Sequence, residues 1–263
     1  DFLEGKFKLN NLRILKQFNG CCFADLDLKQ QGVIEDFQLL FYIIQPPTPE
    51  RVKYDIFDRV NRGGTPLNKQ EMRNALYRGR CTRMLDKLCC SPEFLIATGR
   101  SINKERMKDQ YVVLRAMAFL MLHRGEFKDI PALQYRGDID DFLARFMVYV
   151  NDNAPEKLIV DYENLFIRCM QISYDLLGEN GFRFSGNGIR RPINMPLFEA
   201  LSYLFSFVPE KIDYTWASRL ILDIESVKEE FDDSRYFSGN IDSTTSVSFR
   251  FDRMDKIINR IQL

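Results

Sequence analysis

Phe57-Asp58-Arg59-Val60-Asn61-Arg62-Gly63-Gly64-Thr65-Pro66-Leu67-Asn68-Lys69-Gln70-Glu71-Met72-Arg73-Asn74-Ala75-Leu76 is the stretch on which the reading of this chain turns. Two helices and the corner between them are written into it. Upstream, Thr48-Pro49-Glu50 supplies an N-cap, a proline at the first helical position and a carboxylate in the first turn. Val52, Ile56, Phe57 and Val60 then share one helical face, while Asp55 and Arg59 stand four apart on the other. Gly63-Gly64 ends that helix, because glycine adopts the left-handed conformations a sharp reversal needs. Asn68 opens the second helix as its N-cap. Glu71 completes a capping box, and Leu67 and Met72 occupy the two positions of a hydrophobic staple.

Such a corner suits polar recognition. Backbone N–H groups at Gly63, Gly64 and the following helix start form a positive end that attracts phosphate or another anion, with Arg59, Arg62 and Arg73 as charged forks. The opposing reading is a well-capped corner whose polar groups satisfy one another.

The residues Phe57, Arg59, Val60, Asn61, Gly63, Gly64, Leu67, Gln70, Glu71, Arg73, Asn74 and Ala75 match, without a gap, the signature of a known family. The chain resembles the GmrSD-type restriction endonucleases, whose N-terminal nucleotidase domain is ParB/sulfiredoxin-like. Tyr42-Ile43-Ile44 before the motif and Val113-Leu114-Arg115-Ala116-Met117-Ala118-Phe119 after it also fit. The resemblance covers most of the chain and thins beyond about residue 190. It implies an NTP substrate (GTP or ATP), a divalent cation such as Mg2+ as helper, modified phage DNA as trigger and a nuclease domain or subunit as partner. It also implies that Arg59, Asn61, Gly63, Gly64, Asn68, Gln70, Glu71, Arg73 and Asn74 bind the nucleotide or brace its pocket. Arg59 and Asn61 are the expected direct contacts, with Glu71 and Arg73 as bracing. Members of that family carry an acidic-Gly-Gln-Gln-Arg stretch ahead of a segment like Asp1–Gly5, and this sequence does not contain it. The expectation is therefore a fragment that begins inside the family's domain and is itself inactive as an NTPase.

With 263 residues the chain can bury a real core, and 45% hydrophobic against 28% charged residues is ordinary for a globular protein. A formal net charge of zero removes any global electrostatic argument for nucleic acid, so DNA contact would need a local basic patch. The six cysteines, Cys21, Cys22, Cys81, Cys89, Cys90 and Cys169, match no zinc spacing, and adjacent pairs make poor disulfide frameworks. Reduced thiols in a cytoplasmic protein are expected. No apolar run approaches a membrane span; the longest candidate is interrupted by Arg115.

The fold class expected is mainly α: a remnant of a small α/β, ParB/sulfiredoxin-like layer in residues 1–80, followed by a multi-helix bundle in 81–263. Within the front part, 7–15 reads as a short strand or extended segment, Asn19-Gly20 as a turn, 28–31 as a helix ending at Gly32, and 37–44 as a buried strand. Apolar stripes then place helices at 82–90, 104–124, 139–150, 155–177, 196–208, 216–231 and 249–261, with a mobile polar loop at 234–246.

Elsewhere the chemistry is limited. His123 is the one histidine, at a helix end where the C-terminal dipole suits imidazole. Asp138, Asp140 and Asp141 read as a helix N-terminal charge run, and Asp232-Asp233 as a solvated helix end. No catalytic residue and no metal ligand is assigned. Gly186-Asn187-Gly188-Ile189-Arg190-Arg191 forms a second glycine-arginine loop, and Arg78, Arg80, Arg83 and Lys87 form a local basic face. Arg115 interrupts an apolar stripe, so it needs a carboxylate; Glu71 is the partner expected, pinning the signature helix to the long one. Two functions fit: part of an NTP-hydrolysing regulator of DNA cleavage, or a non-catalytic helical scaffold that binds DNA or a partner nuclease.

Overall fold

The structure, a computed structural model, describes residues 1–38, 40–41, 43, 52, 56, 59, 66–184, 190–209, 211, 213–237 and 239–261. It is mainly α-helical, with no strand among the described residues. The chain divides into two compact units, Asp1–Lys53 and Tyr54–Leu263.

In the first unit the α-helix α1 (Leu28–Glu35) follows Asp27. Asp27 Oδ1 accepts from the Gln30 N–H at 2.8 Å, and Gln30 Oε1 accepts from the Asp27 N–H at 3.1 Å. This reciprocal box carries the helix through Gly32, where a stop was expected; glycine in a helix costs about 1 kcal/mol but does not forbid it. Residues 7–15 form no strand. Leu9 instead exchanges two backbone hydrogen bonds across the Asn19-Gly20 turn, donating to Cys21 at 2.9 Å and accepting from Gly20 at 2.7 Å. The turn itself forms as expected, with Gly20 at φ +88°. Of the expected buried strand, Phe37, Gln38, Leu40, Phe41 and Ile43 are described and none is in a strand; Phe37, Leu40, Phe41 and Ile43 are exposed. A run of apolar residues makes a strand only where another strand pairs with it. Leu39, Tyr42 and Ile44 lie outside the described residues.

In the second unit the α-helices whose bounds lie among the described residues are α2 (Lys69–Leu76), α3 (Arg80–Cys89), α4 (Pro92–Ala97), α5 (Lys108–His123), α6 (Ile139–Asp152), α7 (Glu156–Leu177), α8 (Met195–Phe205), α9 (Tyr214–Asp232) and α10 (Thr244–Ile261), and Ile56 and Arg59 are helical as well. Its centre is the pair α5 and α8. Every residue of α5 from Val112 to Met121, and every residue of α8 from Pro196 to Phe205, is buried. Helices apolar on all sides belong inside a bundle. The rest wrap around them: α3 lies against α5, α10 and α7 against α8, and α4 against α7.

Local chemistry sets the helix ends. Asn68, Ser91, Asp138, Asn194 and Asp213 each cap a following helix through a side-chain oxygen. The expected helix at 104–124 breaks at its start, where Arg106 and Met107 are both left-handed at φ +57°. The expected mobile loop at 234–246 is instead tethered. Ser243 Oγ accepts from the Ser246 N–H at 3.1 Å, and α10 begins at Thr244 rather than 249. Asn151 of α6 reaches into the α2–α3 turn: its Oδ1 accepts from the Cys81 N–H and its Nδ2 donates to the Tyr77 carbonyl, both at 2.9 Å. Gly79 permits that approach, since a Cβ there would sit 2.6 Å from Asn151 Oδ1.

Aromatic rings fill the centre. Phe198 contacts Phe182 at 4.3 Å between centroids, Phe94 at 6.2 Å and Phe166 at 6.3 Å. Phe198→Ala is expected to lower unfolding free energy by about 3–5 kcal/mol in urea titrations, whereas Leu222→Ala, at a residue 71% exposed, should stay within about 0.5 kcal/mol.

Candidate functional site

Helix α2 carries the described half of the signature, and its polar side chains can be followed one by one. Asn68 Oδ1 accepts from the N–H groups of Gln70 and Glu71 at 2.8 and 2.9 Å, and Glu71 Oε2 accepts from the Asn68 N–H at 2.6 Å. The capping box forms as expected. Glu71 also receives Arg106, at 3.0 Å from Nη2. Arg106 Nη2 donates to the Pro66 carbonyl at 2.6 Å, and its own carbonyl accepts from Asn68 Nδ2 at 2.7 Å. The hydrogen bond from Arg106, reinforced by the Asn68 amide, holds the Glu71 carboxyl below its ordinary value. Left-handed backbone at a non-glycine residue costs about 1–2 kcal/mol; these contacts hold Arg106 there, closing a clasp between the start of α2 and the start of α5.

The expected Glu71–Arg115 ion pair does not form. A carboxylate that closes a capping box is held at its own helix end, and Glu71 is met there by Arg106. Arg115 is engaged by Glu199 and Asp242.

The other motif residues of α2 point into the bundle. Arg73, 1% exposed, donates from Nε to Gln70 Oε1 at 3.1 Å and from Nη1 to Asp140 Oδ1 at 2.8 Å. Gln70 Nε2 donates to Asn74 Oδ1 at 2.8 Å; Asn74 in turn donates to Gln110, and Gln110 to Asp86 Oδ1 at 2.7 Å. Lys69 also meets Asp140. Burial would raise the Asp140 carboxyl, but Lys69 and Arg73 together hold it below its ordinary value. Gln70, Arg73 and Asn74 are thus bound to one another and to α3, α5 and α6. Arg59 is helical and exposed. Asn61, Gly63 and Gly64, with Phe57, Arg62 and the expected helix start at Thr48-Pro49-Glu50, lie outside the described residues.

A second polar cluster lies at the centre of the bundle. Glu199 of α8, fully buried, receives Arg115 of α5 through Nε and Arg250 of α10 through Nη2, the latter at 2.9 Å. Arg115 turns its outer edge to Asp242, with Nη2 to Oδ1 at 2.6 Å and Nη1 to Oδ2 at 3.3 Å. Its Nη1 also donates to Tyr111 Oη at 3.1 Å. Arg250 Nη1 donates to the Ile241 carbonyl at 2.5 Å. Burial pulls both guanidiniums toward the neutral form and Glu199 opposes it; arginine stays charged in proteins. Arg73 and Arg115 both lie over the Tyr111 ring, at 5.3 and 5.5 Å from its centroid, so the signature helix and the central cluster share that ring. Arg115 was visible in the sequence as an interruption. The matching signal was Glu199, a lone acid in the apolar run of α8.

The remaining candidates resolve into structural contacts. Asp138 caps α6, accepting from Asp140 and Asp141 N–H groups at 3.0 and 3.1 Å, and Asp141 pairs with Arg145 at 2.7 Å. Asp232 does not end α9 in water alone but holds Arg191 at 2.8 Å. In the glycine-arginine loop, Arg190 pairs with Glu179 at 2.6 Å, and Gly186 to Ile189 lie outside the described residues. Of the basic face, Arg80 reaches Glu156 at 2.7 Å and Lys87 reaches Glu163, while Arg78 and Arg83 are exposed. All six cysteines are free thiols, and burial pushes that of Cys169 up to about 12. No helix among the described residues is long and apolar enough to cross a membrane.

No family model, curated protein or solved structure matches the chain.

His123 ends α5 as expected, but not as a charged partner of the helix dipole. Its ring stacks on Phe251 at 3.6 Å, and burial, with Arg250 adding repulsion, pushes its pKa down to about 3 from 6.5. Between those values the unfolded chain binds a proton that the folded chain refuses, so stability is full above pH 6.5 and falls as pH drops toward 3. His123→Phe should flatten that part of the stability–pH curve, measured by urea unfolding at each pH; an unchanged slope would exclude His123 as its source.

Proposed function

We propose that the chain is the NTP-responsive part of a bacterial modified-DNA restriction protein of the GmrSD kind, in which Arg59 and Asn61 contact the nucleotide and α2 braces the loop between them. In this reading the parent domain hydrolyses GTP or ATP to regulate DNA cleavage by a nuclease domain or subunit. In this reading residues 1–80 belong to the family's α/β layer. The gap-free signature from Phe57 to Ala75 carries the proposal.

The contacts of α2 support the division of labour. Gln70, Arg73 and Asn74 are already bonded within the bundle, and Glu71 is closed by Asn68 and Arg106. They are suited to hold a loop in place rather than to meet a ligand. Among the described residues of the motif, Arg59 carries an exposed guanidinium, which is what a phosphate contact requires. No group of three or more His, Cys, Asp or Glu side chains among the described residues converges to hold a metal ion. In this reading Mg2+, implied by the resemblance, arrives on the nucleotide phosphates.

The same closure favours a second reading, a helical scaffold for DNA or a partner nuclease, in which α2 only joins two parts of the protein. Titration of labelled GTP and ATP separates the two. Nucleotide binding that Arg59→Ala or Asn61→Ala weakens at least about tenfold, while Asn74→Ala lowers the thermal midpoint and leaves affinity within roughly threefold, supports the first. Absence of binding, or equal loss of affinity in all three variants, supports the scaffold.

A further inference from the structure

Four charged side chains meet at the centre of the helical unit, and three of them cannot leave. Arg115, Glu199 and Arg250 are at most 1% exposed and sit on α5, α8 and α10. Alone they would leave two guanidiniums against one carboxylate, a buried net positive charge. Removing one partner of a buried ion pair costs about 3–5 kcal/mol, because the charge left behind is uncompensated. The missing negative charge comes from Asp242, which differs from the others. It is 26% exposed and belongs to no helix. It lies in a polar segment, Gly239-Asn240-Ile241-Asp242-Ser243, that begins at a left-handed glycine, φ +74°.

The contacts made by this segment are those of a small oxyanion. Two carboxylate oxygens of Asp242 take two N–H groups of one guanidinium, and the Ile241 carbonyl takes the Nη1 of Arg250. Arg250 Nε is buried and has no hydrogen-bond partner. Tyr111 Oη lies beside the same edge of Arg115. Withdrawal of the segment would free the outer edge of Arg115, the Nη1 of Arg250 and, beside them, a phenol.

We propose that Arg115, Arg250 and Tyr111 form a binding site for a phosphate group, and that Asp242 occupies it as an internal stand-in that phosphate displaces. The site uses none of residues 59–74, so it stands or falls apart from the nucleotide-binding reading of the signature. Charge balance makes the exchange selective: the segment leaves only when another anion replaces it.

Asp242→Asn keeps the shape of the plug and removes its charge. Thermal unfolding of the full chain and of this variant is followed while inorganic phosphate is titrated, with chloride at matched ionic strength as control and adenosine monophosphate as a second titrant. The expected result is a lower midpoint for Asp242→Asn in chloride and saturable recovery in phosphate. Half-saturation should come at a concentration on the order of tenfold or more below that for the unaltered chain, since the competing carboxylate is gone. The titrant giving the tighter response shows whether the phosphate is free or carried on a nucleotide. Recovery equal in chloride, or a phosphate response no greater than that of the unaltered chain, overturns the proposal. Should Asp242→Asn be unfolded in chloride, circular dichroism reads the same point: helix regained with phosphate supports the site, and helix absent at every concentration overturns it. Arg115→Gln/Asp242→Asn should lose the response, and its retention would also overturn the assignment.

Discussion

The contact between Arg115 and Glu199 is the constraint around which the helical unit is built. Each residue sits on a helix buried on all sides, and each would be intolerable there alone. Apolar helices can slide or rotate past one another at small cost, because hydrophobic contact has no direction. A guanidinium and a carboxylate in a dry core admit few relative positions. The pair therefore sets the register of α5 on α8, and Arg250 extends the same requirement to α10. The apolar contacts around it supply most of the stability; the charges select which packing of those contacts is used.

From that centre the order passes outward to the signature helix. Tyr111 stands one turn before Arg115 on α5 and lies beneath Arg73 of α2. Arg73 in turn reaches Asp140 at the start of α6, while Asn74 meets Gln110. The clasp of Glu71, Asn68 and Arg106 then holds the first turn of α2 against the start of α5. A helix bound on three sides is firmly held. This is the physical basis for reading α2 as a brace.

Caps and stripes were legible in the sequence because they act within one or two turns. The capping box at Asn68 and Glu71 forms as read, and α6 and α7 fall within two residues of the expected ranges, 139–150 and 155–177. Arg115 also announced itself, as a charge that breaks an apolar stripe. The pairing did not, because Glu199 is 84 residues away and only tertiary packing joins them. Glu71 was the nearer candidate, but its carboxylate was committed to its own helix end. Two left-handed residues at Arg106 and Met107 carry no glycine to mark them, so the break ahead of α5 was hidden. The Ser/Thr-rich run after Asn240 read as a loop, although Ser243 caps a helix there. In the front unit, apolar runs at 7–15 and 37–44 resembled strands, yet a strand depends on a partner that local pattern does not reveal.

The direct measurement is a double-mutant cycle on Glu199 and Arg250 by equilibrium urea unfolding. Glu199→Leu leaves Arg250 without a carboxylate and Arg115 with Asp242 alone, and Arg250→Leu leaves Glu199 with one guanidinium while upsetting the balance with Asp242. The double variant keeps Arg115 and Asp242 as a matched pair. If a balanced set of charges fixes the packing, each single variant loses about 3–5 kcal/mol and the double variant loses no more than either single one. Losses that simply add would contradict it, and would return the organisation of the bundle to its apolar contacts alone.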